Sequence, residues 1–222
     1  EILMSRIPVS VLGATGVVGQ RFVRRLAEHP WFELRHLAAS PRSAELSYGE
    51  ACAWRIPGPA HGGFGARKVL PCTPDEAFAP LVFSALDADT AREVEPAFAR
   101  AGALVFSNAS AFRMDSDVPL LIPEVNPDHL GLLPAQRATR GWTGGILTNP
   151  NCTTTMLALV LAPLHAAFGV EAVLMASLQA ASGAGWPGVP SLDLLGNVVP
   201  FIPGEEPKVE AEAPKLLGRL AG

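Results

Sequence analysis

Pro8-Val9-Ser10-Val11-Leu12-Gly13-Ala14-Thr15-Gly16-Val17-Val18-Gly19 is the stretch that decides the fold. A short apolar run meets a glycine, and beyond it Val18, Phe22 and Leu26 recur at helical spacing with Val17 and Val23 beside them. The pattern is strand, glycine turn, helix. Glycines spaced G-x-x-G-x-x-G in this context let the backbone approach a diphosphate, and the unbonded N–H groups and positive end of the helix attract it. The expected ligand is a dinucleotide, cradled by Gly13, Thr15, Gly16, Val17 and Val18.

The next strand, over residues 34–39, ends at Ser40-Pro41-Arg42-Ser43. A site selective for NAD places an acidic side chain about 20 residues past the glycine turn, on the ribose 2′-hydroxyl. Ser40 and Arg42 instead offer a hydroxyl and a guanidinium, which suit a 2′-phosphate, so the expected cofactor is NADP. A polar, glycine-rich stretch follows over residues 47–67, with a short strand at 68–71. Residues 81–85 are apolar but for Ser84, as in a strand buried on both faces, and Asp87 or Asp89 can cap a helix that runs to 101 before Gly102. Residues 103–106 form the next strand. Parallel neighbours need crossover connections, so strands alternating with helices specify an α/β, doubly wound parallel sheet covered on both faces.

Residues 119–134 read as a proline-punctuated connection. A helix is expected from 153 to 168, stopped by Gly169, followed by a long strand over 170–179 and a Gly- and Pro-rich loop over 182–190. Asn151-Cys152-Thr153-Thr154 places a cysteine at that helix's start, where the dipole and exposed N–H groups stabilise a thiolate. Cys152 is therefore the candidate nucleophile. Cys52 and Cys72 read as inert small hydrophobes. Gln179 faces Ser182-Gly183-Ala184-Gly185, a loop whose missing side chains let a flat cofactor ring approach the backbone.

The remaining composition excludes several functions. A net charge of −4, with 17 Lys and Arg residues scattered along the chain, offers no basic field for nucleic acid. The apolar run at 156–164 contains Pro163 and falls short of the ~20 residues that cross a bilayer. Glu1 and Arg6 precede a strand pattern that leaves no room for a secretory leader, so a cytoplasmic protein is expected. The three cysteines lie far apart, without metal-ligand spacing, and no metal is expected. The five histidines read as surface or packing residues.

Taken in order, Gly13 to Gly19, Ser107-Asn108-Ala109-Ser110-Ala111-Phe112-Arg113-Met114, Pro119-Leu120-Leu121-Ile122-Pro123-Glu124-Val125-Asn126, Asn149-Pro150-Asn151-Cys152-Thr153-Thr154 and Gln179 to Gly185 resemble aspartate-semialdehyde dehydrogenase. Gly185-Trp186-Pro187-Gly188-Val189-Pro190-Ser191 and Pro203-Gly204-Glu205-Glu206-Pro207-Lys208 are most similar to its archaeal and fungal branch. The resemblance implies an NADP-binding domain over 1–151 and an incomplete α+β catalytic and dimerisation domain over 152–222. It implies that Cys152 attacks L-aspartate 4-semialdehyde, that hydride passes to NADP and that phosphate cleaves the thioester to L-4-aspartyl phosphate. Arg113 and Lys208 then bind phosphate, Gln179 and Glu205 (or Glu206) orient the substrate, and Asn151 supports the thiohemiacetal. The cofactor ring meets Ser182, Gly183 and Gly185. The reaction serves lysine, threonine and methionine synthesis, in a homodimer or homotetramer.

Family members also carry a substrate-binding arginine and a general-base histidine beyond the Glu-Lys cluster, and the chain ends at Gly222 before them. The expectation is that these 222 residues alone lack a base worth ~10²–10⁴-fold in rate. Malonyl-CoA reductase and N-acetyl-γ-glutamyl-phosphate reductase are alternative activities with cysteine chemistry. A non-catalytic cofactor-binding or assembly protein is the alternative of another class.

Overall fold

The computed structural model describes residues 6–220; Glu1 and the reading attached to it lie outside the described residues. The chain divides into two compact units, one of Glu1–Pro119 with Gly131–Asn149 and one of Leu120–Leu130 with Pro150–Gly222.

The first unit is built on six parallel strands: β1 Ile7–Leu12, β2 Phe32–Ala39, β3 Val69–Pro71, β4 Leu81–Ser84, β5 Leu104–Ser107 and β6 Gly145–Thr148. Their order is β3-β2-β1-β4-β5-β6, so the chain reverses its direction of travel between β1 and β4. Ligands of open α/β sheets bind outside the carboxyl ends of the strands at such a switch point. The helices are α1 Val17–Leu26, α2 Tyr48–Ala51, α3 Pro74–Ala77, α4 Ala88–Arg100 and α5 Leu133–Arg140.

Alternate residues of each strand feed two separate cores. Val9 and Val11 pack with Val23, Leu34, Leu37 and Tyr48 on one face. Leu12, Val82, Val105 and Ile146 pack with Phe98 and Ala91 of α4 on the other. Phe98 is fully buried, a contribution of about 1.5–3 kcal/mol relative to leaving it exposed. Of the two candidate caps for α4, Asp87 takes the role: its carboxylate accepts the Thr90 N–H at 3.0 Å and the Thr90 hydroxyl at 2.7 Å. Those bonds hold the Asp87 carboxyl below its ordinary range.

The proline-punctuated connection contains more structure than its sequence suggests. Pro127–Leu132 forms a 3-10 turn and leads directly into α5, whose Pro134 sits in the first turn, where its missing N–H has no partner to lose. The residues before Asn149 form β6, buried throughout.

In the second unit α6 Cys152–Phe168 is followed by α7 Ser191–Leu194 and α8 Glu205–Leu217. Gly169 ends α6 at φ 73°, as expected from its position. Leu120, Ile122, Ala158 and Leu216 form this unit's small core. The strand expected over residues 170–179 is not there: that segment has no regular secondary structure. A strand needs a neighbour for its N–H and C=O groups, and no described segment pairs with it; Leu174 and Leu178 are almost fully exposed. Gln179 therefore does not terminate a strand. Among the described residues no helix is long and apolar enough to cross a membrane.

Candidate active site

Two groups of expected site residues are assembled, one in each unit. In the first, β1 runs into Gly13, which adopts φ +70°. A Cβ on Gly13 would lie 2.6 Å from the Ala85 carbonyl oxygen, just past the end of β4. The turn thus occupies the switch point itself. A Cβ on Gly19 would lie 2.1 Å from the Gly13 carbonyl oxygen, so α1 can approach the turn this closely only without a side chain there. Gly16 caps α1, and its N–H donates to Gly13 O at 3.1 Å. Among the described residues, the N–H groups of Thr15, Val17 and Val18 donate to no protein acceptor. Leu12 pairs with Ala38 in the neighbouring strand, so Ser40 and Arg42, both exposed, follow the carboxyl end of β2 beside the turn.

Also in this unit, Arg113 is buried and its guanidinium donates to the Asn108 carbonyl at 2.8 Å. The loop that carries it is anchored at Ser107, whose hydroxyl donates to Glu95 Oε1 at 2.7 Å and accepts the Ala109 N–H at 3.1 Å. Burial pushes the Glu95 carboxyl up, against the Ser107 hydrogen bond. Asn149 donates to the Asn108 side chain at 2.5 Å.

The second unit holds the cysteine. Asn151 caps α6, its Oδ1 accepting the Thr153 N–H at 2.8 Å and the Thr154 N–H at 3.3 Å. Cys152 is the first residue of that helix and is exposed. Glu205, at the start of α8, collects three donors: Thr153 Oγ1 at 2.6 Å, Asn151 Nδ2 at 3.0 Å and Gln179 Nε2 at 3.0 Å. Gln179 also donates to Thr153 Oγ1 at 2.9 Å. Burial opposes ionisation of Glu205, but the bonds from Thr153, Gln179 and Asn151 and the nearby charge of Lys208 outweigh it and hold the carboxyl below its ordinary 4.5. Asn151, Cys152, Gln179, Glu205 and Lys208 are thereby gathered around one helix start. Glu206 is exposed and makes none of the three bonds. Ser182, Gly183 and Gly185 lie in and just after an exposed 3-10 turn, Ala181–Ala184.

A depressed folded-state value means that this network contributes stability fully above the ordinary carboxylate value and loses it as pH falls through the lower folded one. Stability is therefore expected to drop on acidification below pH 4.5, with Glu205→Gln flattening that part of the profile in urea unfolding measured across pH.

Glu212 is a participant that sequence reasoning missed. It is 2% exposed and accepts the Asn151 backbone N–H at 2.6 Å. The available signal was its spacing from Glu205, two helical turns along the same face of α8. Cys52 and Cys72 are set apart from Cys152 by burial, which pushes both thiols up.

The semialdehyde dehydrogenase NAD binding domain matches residues 8–133, and the semialdehyde dehydrogenase dimerisation domain matches residues 161–222. The chain belongs to the semialdehyde dehydrogenase family. Within it, the aspartate-semialdehyde dehydrogenase of Archaeoglobus fulgidus is 56% identical over 98% of this chain and 63% of its own length. That of Cryptococcus neoformans is 49% identical over 96% of this chain and 60% of its own. The chain thus spans somewhat over half the length of these relatives. The crystal structure of aspartate semialdehyde dehydrogenase with NADP from Candida albicans superposes with a TM-score of 0.84 at 38% identity, over 98% of this chain and 62% of that one. The family found is the one that the quoted segments resemble.

Proposed function

We propose that this chain carries the cofactor site and nucleophile of an NADP-dependent aspartate-semialdehyde dehydrogenase, which interconverts L-4-aspartyl phosphate and L-aspartate 4-semialdehyde. The observation that carries the reading is Cys152 at the start of α6, beneath an Asn151 cap tied to Glu205, which also accepts from Gln179. A thiol at a helix start is set against the positive end of the dipole, the place where a thiolate is best tolerated.

The residues fit NADP. Orphan N–H groups at Thr15, Val17 and Val18 and the two glycine approaches leave room for a diphosphate. Ser40 and Arg42 follow the adjacent strand, where a 2′-phosphate would lie. Ser182, Gly183 and Gly185 are the residues assigned to the nicotinamide end. When bound, NADP supplies the hydride acceptor, and in the reductive direction the donor.

The chain's own residues do the rest. Cys152 Sγ adds to the aldehyde carbon, and Asn151 supports the resulting oxygen; at the thioester stage a phosphate oxygen attacks the same carbon and the sulfur leaves as thiolate. Arg113 and Lys208 supply cationic contacts for the phosphate. Gln179 and Glu205 orient the substrate, with Glu205 kept ionised by its three donors to meet the substrate ammonium.

We place the cofactor domain at 1–151 and the catalytic and dimerisation domain at 152–222. Self-association as a dimer or tetramer is supported by Leu174, Leu178, Val198 and Phe201, which stand exposed in the region matching the dimerisation domain. We place the protein in the cytoplasm, in lysine, threonine and methionine synthesis; the need for a free thiol supports the location, and the similarity to aspartate-semialdehyde dehydrogenases supports the pathway.

The test is NADPH formation, followed by absorbance, from L-aspartate 4-semialdehyde with and without phosphate. Phosphate-dependent formation is expected where a general base completes the site, and a rate lower by ~10²–10⁴-fold from these residues alone. Turnover of a CoA thioester or of an N-acetyl-γ-glutamyl substrate in its place would reassign the substrate.

A further inference from the structure

The glycine turn is gripped by a short excursion of chain that the chemistry above leaves unused. Tyr48, fully buried at the start of α2, donates its hydroxyl to the Ala14 carbonyl at 2.8 Å. Gln20, 1% exposed, donates to the Thr15 carbonyl at 2.9 Å and to Ala53 O at 3.1 Å, and accepts the Arg55 N–H at 2.8 Å. Cys52 Sγ points at the same Thr15 carbonyl at 3.7 Å. The excursion is itself fixed. Ser47 and Glu50 form a reciprocal cap on α2, Tyr48 N donates to Arg67 O at 2.7 Å, and Gly49 N donates to Gly65 O at 2.8 Å. Burial pushes the Tyr48 phenol up, so it stays a donor throughout the ordinary pH range.

A trans peptide is planar and points its C=O and N–H in opposite directions. Anchoring Ala14 O on Tyr48 therefore turns the Thr15 N–H away from Tyr48, and anchoring Thr15 O fixes the Gly16 N–H, which closes the turn on Gly13 O at 3.1 Å. Without these anchors the Thr15–Gly16 peptide could turn about the φ of Gly16, where glycine tolerates either sign, and the Ala14–Thr15 peptide would lose the side-chain bond that fixes its carbonyl. A turn that samples several orientations binds an anion more weakly, in proportion to the fraction of time it is competent.

We propose that Tyr48 and Gln20 are positioning residues for the cofactor's diphosphate, locking the Ala14–Thr15 and Thr15–Gly16 peptides so that the orphan N–H groups of Thr15, Val17 and Val18 are presented together. This rests on the cofactor reading given above. Neither side chain touches the cofactor; both act through the backbone they hold.

The experiment titrates the chain with NADPH, NADH and adenosine 2′-monophosphate, by NADPH fluorescence directly and by competition for the last. Tyr48→Phe removes one oxygen and keeps the packing. It is expected to weaken NADPH and NADH by the same factor, about 5- to 10-fold, the range of one net hydrogen bond. Adenosine 2′-monophosphate, which has no diphosphate, should bind Tyr48→Phe as it binds the unsubstituted chain. Ile146→Val, which removes one buried methyl group from β6 and so tests general loosening of the core, should leave all three affinities unchanged. Equal NADPH affinity in Tyr48→Phe overturns the proposal. So does equal weakening of all three ligands, which would show general loosening. Should Tyr48→Phe not fold, Gln20→Met, which removes the donor to Thr15 O, is read in the same way. No NADPH binding by the unsubstituted chain overturns the cofactor reading and this proposal with it; a failure in Tyr48→Phe alone overturns only the positioning.

Discussion

Cys152→Ala is expected to abolish phosphate-dependent NADPH formation, a loss on the order of 10⁴-fold or more, because no other group can form the acyl intermediate. Of the three cysteines, Cys152 alone combines exposure with a helix start; Cys52 is buried and donates toward the Thr15 carbonyl, and Cys72 is directed at the Ala39 carbonyl. Neither can accept an acyl group without leaving its core. Incubation with L-4-aspartyl phosphate should accordingly leave one acyl adduct, seen by intact-mass spectrometry, on the unsubstituted chain and none on Cys152→Ala. The adduct needs no hydride transfer, so the nucleophile is tested separately from turnover. An adduct that persists in Cys152→Ala, or a variant retaining a tenth of the rate, would show that the covalent route is wrong. NADPH affinity should be unchanged in this variant, since Cys152 contributes nothing to the glycine turn.

The doubly wound sheet was legible because burial on both faces removes the ambiguity of alternation. Residues 103–106, and 81–85 apart from Ser84, are apolar on both sides, and each is followed or preceded by a break, so strand is the only element short enough to fit. The elements that escaped notice, β6 and α5, lie where prolines and glycines dominate. Pro134 looks like a breaker but occupies the first turn of α5, where proline costs nothing, and Gly145 stands in β6 with the ends of the Leu133 and Gln136 side chains packed over it, 2.8 and 3.1 Å from where a Cβ would lie. Residues 170–179 misled in the opposite sense. Their aliphatic composition reports that they suit burial, but pairing is a property of two segments, and no described segment lies alongside to supply the second.

The site shows the same division. Cys152 could be read from four residues, since Asn151 is a helix cap and the cysteine follows it directly. Glu205 was visible only as part of a charged cluster, and a charge cluster on a helix ordinarily faces water. Its three donors, Asn151 and Thr153 at the start of α6 and Gln179 beyond it, all lie far from Glu205 in sequence, so their convergence on it is a tertiary fact. Glu212 and Tyr48 were less visible still. A buried carboxylate that accepts a backbone N–H, and a phenol that holds a carbonyl, have the residue types of a solvated face and an ordinary core. Their roles exist only in the partners they meet.

The glycine motif announces a phosphate cradle but does not rank its glycines, and the ranking yields the largest stability effect expected here. Gly19→Ala places a methyl group 2.1 Å from Gly13 O and 2.7 Å from Ala14 Cα, both backbone atoms that no rotamer change can move. Relief requires α1 to pull away from the turn, which opens the Val23 and Leu26 side of the core and disperses the orphan N–H groups. A loss of about 3 kcal/mol is expected in urea unfolding, the upper end for overpacking, together with loss of measurable NADPH binding. Gly16→Ala is the internal comparison. Its backbone is at φ −73°, and its new Cβ would approach nothing closer than Gly13 O at 3.4 Å, an ordinary contact. That variant should cost about 1 kcal/mol or less, mostly from replacing a tolerated cap residue with a poor one. Both substitutions remove the same backbone freedom from the unfolded chain, so the difference between them isolates the steric approach of helix to turn. Similar losses in the two variants would mean that flexibility of the motif, rather than the closeness of α1 to β1, is what its glycines provide.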